Sequence, residues 1–420
     1  MGLLKMAEAA LLMAGMKRNQ WLSRDELEAI QGSRLRRLIT HASSSVPYYR
    51  DAIGGADVRC IDDLPVLPLT EKNAVRNGSR SFISSLAGGR LSTLHTSGST
   101  GRPLPLYFDS RDGFYGAVLR YHVMTELGFK PGDLLANMMV SRLQPFALQR
   151  FIYRVRDLNP SDADELNLAQ LRRLAPDMLL TYPSKIVLLA SLNLSSRERL
   201  GIRTVVSASE LLSARTRELA RSSFGCDLRN YYGMNESWGV GWECEKGSMH
   251  INSDSVIMEV VDKKGRQVKG GRQGELVLTS LWRYSMPFIR YRTGDMGAIG
   301  GSCACGRGLH VLKGLEGRSD DFLTLPSGRP FAAITLLSLL KKVPQMLQYQ
   351  IVQEKDHTIR LLVVPEGAFT ASDIKAIKRS FEEAIPEPVP IELEIVSELP
   401  RERSGKLRCV TSKLKPVLGT

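Results

Sequence analysis

Between His95 and Leu104 the chain reads HTSGSTGRPL, a combination of residue types suited to an anion. Gly98 and Gly101 free the backbone to aim successive N–H groups at one point. Thr96, Ser97, Ser99 and Thr100 add hydroxyl donors, and Arg102 adds a fixed positive charge. The spacing is not that of a P-loop. The SGK at Ser404–Lys406 fails that pattern too, because Pro400 takes the first glycine position. A second constellation is soft rather than hard. Cys244-x5-His250 is followed by Cys303 and Cys305, which flank Ala304 between Gly301 and Gly306. Thiolates on a tight turn, joined by a third thiolate and an imidazole, suit a closed structural zinc site (Zn2+). Cys60, Cys226 and Cys409 have no such company and read as packing.

These groups need a scaffold, and 420 residues allow two to three domains. The opening MGLLKMAEAALLMAGM mimics a signal peptide, but Lys5 and Glu8 interrupt it, so an amphipathic helix is expected. Met6 stands where a myristoylation signal needs Ser or Thr. LRRLITHASSSVPYYRDAI carries apolar residues at helical spacing and stops at Val46-Pro47. From Tyr107 to Leu281, short β-rich runs such as IRTVVSAS alternate with amphipathic helices such as SARTRELARSSF, the pattern of an α/β sheet. From Ser255 to Leu281 the pattern becomes strand–turn–strand, with VIMEVVDKKGRQV followed by GELVLTSL, a β-rich subdomain. A boundary falls near GRSDDF, Gly317–Phe322, giving domains 1–318 and 319–420. In the second, YQIVQ, IRLLVVP and IELEIV read as strands, and Ile374, Ile377, Phe381 and Ile385 form a helical stripe: a small α+β domain.

Net charge is +13, from 57 basic and 44 acidic residues, and the basic residues are scattered. No nucleic-acid-binding signature accompanies them, so a solvated basic surface or a phosphate-bearing small ligand accounts for the charge. Six Cys at irregular spacing do not form a disulfide framework, which points to a reducing, cytoplasmic compartment. No integral membrane segment is expected. Oligomeric state stays open, with a homodimer one option.

Five motifs occur in order: HTSGSTGRPL, then YYGMNES (Tyr231–Ser237), YRTGD (Tyr291–Asp295), GRSDD (Gly317–Asp321) and PRERSGKLR (Pro400–Arg408). Together they resemble the adenylate-forming enzymes, the acyl-CoA synthetase superfamily, over roughly 95–408. LRRLITHASSSVPYYRD and the compact length resemble the phenylacetate–CoA ligase branch, including relatives associated with capsular-polysaccharide synthesis. The resemblance implies an α/β fold with a large N-terminal adenylation domain and a small mobile C-terminal domain. It places Thr96–Arg102 on the β- and γ-phosphates of ATP, Glu236 on Mg2+, and Tyr232 beside the adenine. Asp295 falls on the ribose hydroxyls with Arg318 assisting, and Glu210, in SASELLS, borders the acyl pocket and adenine. Lys406 becomes the catalytic lysine bridging the carboxylate and the α-phosphate, and Asp320 or Asp321 a hinge. Some members of the branch hold structural zinc with a similar Cys/His group.

The chain departs from the family at Arg102, where the branch often carries Lys, at Asn235, where Thr is common, and in FLTLPSGRPF, near the family's thiol entrance. The implied reaction activates a small carboxylic acid as acyl-AMP and passes the acyl group to a thiol, coenzyme A being the expected acceptor. The branch, together with Trp238 and Trp242, points to an aromatic acid. The alternatives are an amide- or ester-forming synthetase with an amine, sugar or carrier-protein acceptor, and a degenerate relative acting as a binding scaffold.

Overall fold

The structure is a computed structural model that describes residues 2–95, 104–139, 154–196, 200–268, 270–318, 322–328, 330–340, 343, 345–401 and 407–414. The chain packs as two compact units. One gathers mainly 1–135 and 229–315, the other mainly 157–228 and 316–420.

In the first unit the opening residues form a helix, Gly2–Asn19. A second, Arg24–Ser45, starts at a capping box in which Ser23 and Glu26 satisfy each other's backbone N–H. It stops at Val46, as the sequence predicts, but the chain does not then become a loop. Pro47 pre-sets the backbone of a new helix, Pro47–Ile53, because a proline costs nothing at the first helical position. Leu35, Leu38 and Ala42 from the long helix, with Tyr49 and Phe82, are buried against Phe288, Ile289 and Tyr291. This core anchors the start of the strand that carries YRTGD.

Seven strands follow from edge to edge as Val256–Val261, Gly274–Ser280, Tyr291–Ile299, Val311–Arg318, Met249–Ile251, Trp238–Glu243 and Asp227–Met234. The first pair is antiparallel, Val256 facing Ser280 and Val261 facing Glu275, as the strand–turn–strand pattern predicts. At the head of Tyr291–Ile299, Arg290 donates from Nε and Nη2 to Glu259, each bond 3.0 Å. This buried, two-pronged ion pair fixes where the strand begins.

The second unit holds the parallel pair Met178–Thr181 and Thr204–Ala208, with Met138 N–H donating to the Leu180 carbonyl. Helices Pro183–Ser196 and Ala214–Phe224 bury Ile186, Leu189, Ala190, Leu219 and Phe224 in the same core as Leu179 and Val205. Its C-terminal part is a four-stranded sheet ordered Ile391–Ile395, Ile359–Pro365, Met346–Gln353, Val410–Ser412. Helix Ala371–Ala384 opens with a Thr370/Asp373 capping box and buries Ile377 and Phe381 among Ile351, Leu361 and Val363. The three expected strands and the helical stripe thus form one small α+β body.

Candidate functional site

Strand Asp227–Met234 passes through Asn235–Ser237 into the antiparallel strand Trp238–Glu243, with Tyr232 opposite Gly241 and Met234 opposite Trp238. The turn is tightly specified. A Cβ on Gly233 would lie 2.7 Å from the Tyr231 ring and 2.8 Å from the Trp238 carbonyl, so no side chain fits there. Trp238 has φ of 62°, a left-handed conformation that a bulky residue holds only under constraint. Its indole lies against Gly116, where an added Cβ would meet the ring at 2.4 Å.

Glu236 sits in this turn, 6% exposed, and Tyr291 Oη donates to its Oε1 at 3.0 Å. Tyr232 Oη donates to Asp295 Oδ2 at 2.6 Å, and the Asp295 N–H donates to Thr293 Oγ1 at 3.0 Å. Burial first, then the charges of Asp295 and Glu236, drives the Tyr232 phenol well above its ordinary range. It therefore stays a proton donor at neutral pH. Each motif carboxylate has a phenol of its own, and both belong to the first unit.

Arg283 escapes the sequence reading. Its side chain is fully buried. Nη1 donates to the carbonyls of Asn235 at 2.8 Å and Glu236 at 3.4 Å, while Nη2 donates to Tyr107 O at 3.0 Å. The guanidinium lies 5.0 Å from the Trp238 ring centre. Burial lowers its pKa to about 10, opposed by Asp112 and Glu236, so it remains cationic at neutral pH. A fixed positive charge thus props the Glu236 turn from below. Asp112 accepts from the N–H groups of Tyr284 at 3.2 Å and Ser285 at 2.9 Å, which secures the chain just beyond Arg283. Nothing in LWRYSMPFI separates this arginine from a solvated one; its partners lie 47 to 176 residues away.

Farther along the same strands the Cys/His group comes together. Cys244 follows Trp238–Glu243, His250 lies in Met249–Ile251, and Cys303 and Cys305 occupy the turn after Tyr291–Ile299. Their four ligand atoms all lie within 4.8 Å of one another. Cys244 Sγ is 3.6 Å from Cys303 Sγ, and Cys305 Sγ is 3.2 Å from His250 Nε2. A tetrahedral zinc with arms of about 2.3 Å to sulfur sets ligand edges near 3.8 Å, so the donor set fits that ion. Burial lowers the His250 pKa and keeps the imidazole in its neutral, ligating form. Trp242 is fully buried, its ring 5.5 Å from that of His250, with Arg307 4.9 Å above it. Both tryptophans therefore pack: Trp242 behind the Cys/His group, Trp238 between Gly116 and Arg283.

Glu210 belongs to the second unit. Ser209, just before it, has φ of 68° in the left-handed region. The Glu210 carboxylate accepts from Ser184 N–H and Oγ, each at 3.0 Å, and from Leu407 N–H at 2.7 Å. Thr96, Ser97, Gly98, Ser99, Thr100, Gly101, Arg102, Asp320, Asp321 and Lys406 lie outside the described residues. Arg318 ends strand Val311–Arg318, and its side chain is outside them as well.

Residues 324–413 match the CapK C-terminal domain family. A phenylacetate-coenzyme A ligase of Thermus thermophilus is 28% identical over 361 residues, which cover 80% of each chain. Protein CapK of Staphylococcus aureus is 20% identical over 93% of this chain and 90% of its own. Among solved structures, a 2-hydroxyisobutyryl-CoA ligase in the postadenylation state superposes with a TM-score of 0.77 at 20% identity, covering 94% of this chain and 92% of that one. The ordered motifs, the two-unit α/β fold and these likenesses agree: the chain belongs to the phenylacetate–CoA ligase-like branch of the adenylate-forming enzymes, with the CapK proteins among its relatives.

Proposed function

We propose that the protein activates a carboxylic acid with ATP and transfers the acyl group to coenzyme A. In the first half-reaction an acid oxygen attacks the α-phosphorus, and the bond to pyrophosphate breaks, leaving acyl-AMP. In the second, a thiolate attacks the acyl carbon and AMP departs with the electron pair of the C–O bond. The observation that carries this reading is the pair of motif carboxylates, Glu236 and Asp295, each held by its own phenol. A hard carboxylate oxygen at Glu236 suits Mg2+, which would neutralise charge gathering on the phosphates. Asp295, fixed by Tyr232, is an acceptor suited to ribose hydroxyls. Tyr232 itself offers a buried ring for the adenine, and Arg318 and Glu210 are assigned by resemblance to the same nucleotide. The Thr96–Arg102 segment supplies N–H and hydroxyl donors for the outer phosphates, and Lys406 the mobile cation for the α-phosphate.

Residues 1–318 would act as the adenylating domain and 319–420 as the domain that delivers Lys406. The family match at 324–413 supports treating the latter as a unit. Cys244, His250, Cys303 and Cys305 would hold structural zinc, with all four positions filled by the protein and no place left for a substrate. Among the described residues no helix is long and apolar enough to cross a membrane. A cytoplasmic site of action and a homodimeric assembly complete the proposal; size-exclusion chromatography with light scattering tests the latter.

The decisive experiment is acid-dependent ATP–pyrophosphate exchange over a panel led by phenylacetate, followed by coenzyme A addition to each active acid. Exchange and acyl-CoA formation are expected. No exchange with any acid would turn the assignment toward a binding scaffold. One observation favours a second acceptor class: the C-terminal segment matches the CapK domain, and FLTLPSGRPF departs from the branch near the thiol entrance. Exchange without acyl-CoA formation would select that reading, in which an amine, sugar or carrier protein takes the acyl group.

A further inference from the structure

We infer that Ser184, Glu210 and Arg401 form a clamp that fixes both stems of the segment bearing Lys406, making them positioning residues for the adenylation step. The inference rests on the role of Lys406 proposed above.

The stem before that segment ends at Arg401 and the stem after it begins at Leu407. Both close on one seryl–glutamate pair within the second unit. Arg401 Nη1 donates to Ser184 Oγ at 2.7 Å, and Nη2 donates to the Ser184 carbonyl at 3.2 Å. The Leu407 N–H donates to Glu210 Oε1 at 2.7 Å. Ser184 and Glu210 are themselves joined by two bonds of 3.0 Å, from the Ser184 N–H and hydroxyl. Gln348 Nε2 adds a donor to the Ser184 carbonyl at 3.0 Å from the C-terminal sheet.

Ser184 and Gln348 are buried, and Arg401 is desolvated enough that burial lowers its pKa, opposed chiefly by Glu210. Charge-assisted bonds in such surroundings are shorter and stronger than their solvated equivalents. Ser184 opens helix Pro183–Ser196, so the Glu210 carboxylate also lies at a helix N-terminus, where negative charge is favoured.

Each stem alone would leave a tethered lysine a wide search. Pinning both removes most of that freedom before the reaction begins, the usual source of orientation advantage in catalysis. The bonds are also breakable without disturbing either core. They join polar groups at the edge of the packing, so the lysine-bearing segment can leave for the second half-reaction. Ser209, held at φ of 68°, aims Glu210 at both stems.

The test separates the half-reactions in the full-length protein. With phenylacetate, or whichever acid of the panel supports exchange, Arg401→Ala and Ser184→Ala are expected to slow ATP–pyrophosphate exchange about tenfold through kcat, with KM for ATP little changed. Thioester formation from supplied acyl-AMP is expected to stay within about twofold, and Arg401→Lys to recover part of the exchange rate. Equal loss in both half-reactions, or unchanged exchange, would overturn the clamp. Hydrogen exchange at the Leu407 amide gives a readout independent of activity. Glu210→Ala should make it exchange faster by about tenfold or more, with global melting unaltered. An unchanged Leu407 amide would refute the clamp even if wild type proved inactive with every acid, a result that counts against the ligase reading instead.

Discussion

Strands Trp238–Glu243 and Tyr291–Ile299 serve two sites of opposite character. Around one end of Trp238–Glu243, Glu236 and Asp295 each accept from one tyrosine. At the other, Cys244 joins His250, Cys303 and Cys305, and all four ligand atoms face one another. A six-residue strand spans roughly 20 Å, so the two sites share a scaffold without touching. The first has hard oxygen donors suited to a ligand that comes and goes. The second is soft, self-contained and closed. One is built for turnover and the other for stability, and mutations at the two should separate those properties.

The largest effect is expected at the carboxylate. Glu236→Gln keeps the shape and an acceptor for Tyr291 but removes the charge. Exchange should fall about a hundredfold or more. The melting temperature should move by no more than about 3 °C, because the buried site loses an ion rather than its packing. A large fall in melting temperature with little loss of exchange would assign Glu236 to structure and erase the contrast.

Cys305→Ser, or prolonged chelation of wild type, should do the reverse. Structural zinc contributes its binding free energy to folding, so melting is expected to drop by about 10 °C. Exchange at 25 °C should remain within about threefold. Elemental analysis of protein purified without chelators checks the premise: about one zinc per chain is expected. None would remove the ion from this account and leave four reduced side chains in contact.

Acid should also act on the Cys/His side. His310 lies one residue before strand Val311–Arg318, with Ser253 Oγ 3.1 Å from its Nδ1 and the Ile251 N–H bonded to its carbonyl. Burial, helped by the Arg24 charge, lowers its pKa from about 6.5 to about 4. The unfolded chain therefore takes up this proton first as the pH falls. The stabilising contribution is complete above about pH 6.5, declines toward pH 4 and is gone below it, a loss of at most about 3 kcal/mol. His310→Gln should flatten stability against pH across that window in chemical denaturation. An unaltered slope would show that His310 is not the group responsible.

Much of this was legible from residue order, and the exceptions share a cause. The α/β alternation, the C-terminal strands and the Ile377–Phe381 stripe follow from periodicity, which burial on one face enforces. Cys244, His250, Cys303 and Cys305 could be grouped because few residue types bind soft metals. Tyr232, Glu236 and Asp295 stood in motifs whose chemistry restricts substitution. Arg283, Ser184 and Arg401 gave no such sign. Each acts through backbone or side-chain partners brought close only by folding, and an arginine written among other arginines looks like surface. The helix at Pro47–Ile53 was hidden differently, since proline ends one helix and opens the next with the same fixed φ.

The smallest expected effect tests whether the second unit also separates turnover from stability. Ser209 sits at φ of 68°, where a Cβ is disfavoured and glycine is not. Ser209→Gly should relieve that strain but widen the unfolded ensemble, and the two contributions oppose each other. The net change in stability should therefore stay within about 1 kcal/mol, shifting melting by no more than about 3 °C. Exchange is the sharper measurement. A freer backbone at 209 lets Glu210 wander from Ser184 and Leu407, so the exchange rate should fall about two- to threefold while thioester formation from acyl-AMP holds. If both rates rose together, the left-handed serine would be a cost carried without benefit. If only exchange falls, local strain at one residue is what keeps the carboxylate aimed at both stems.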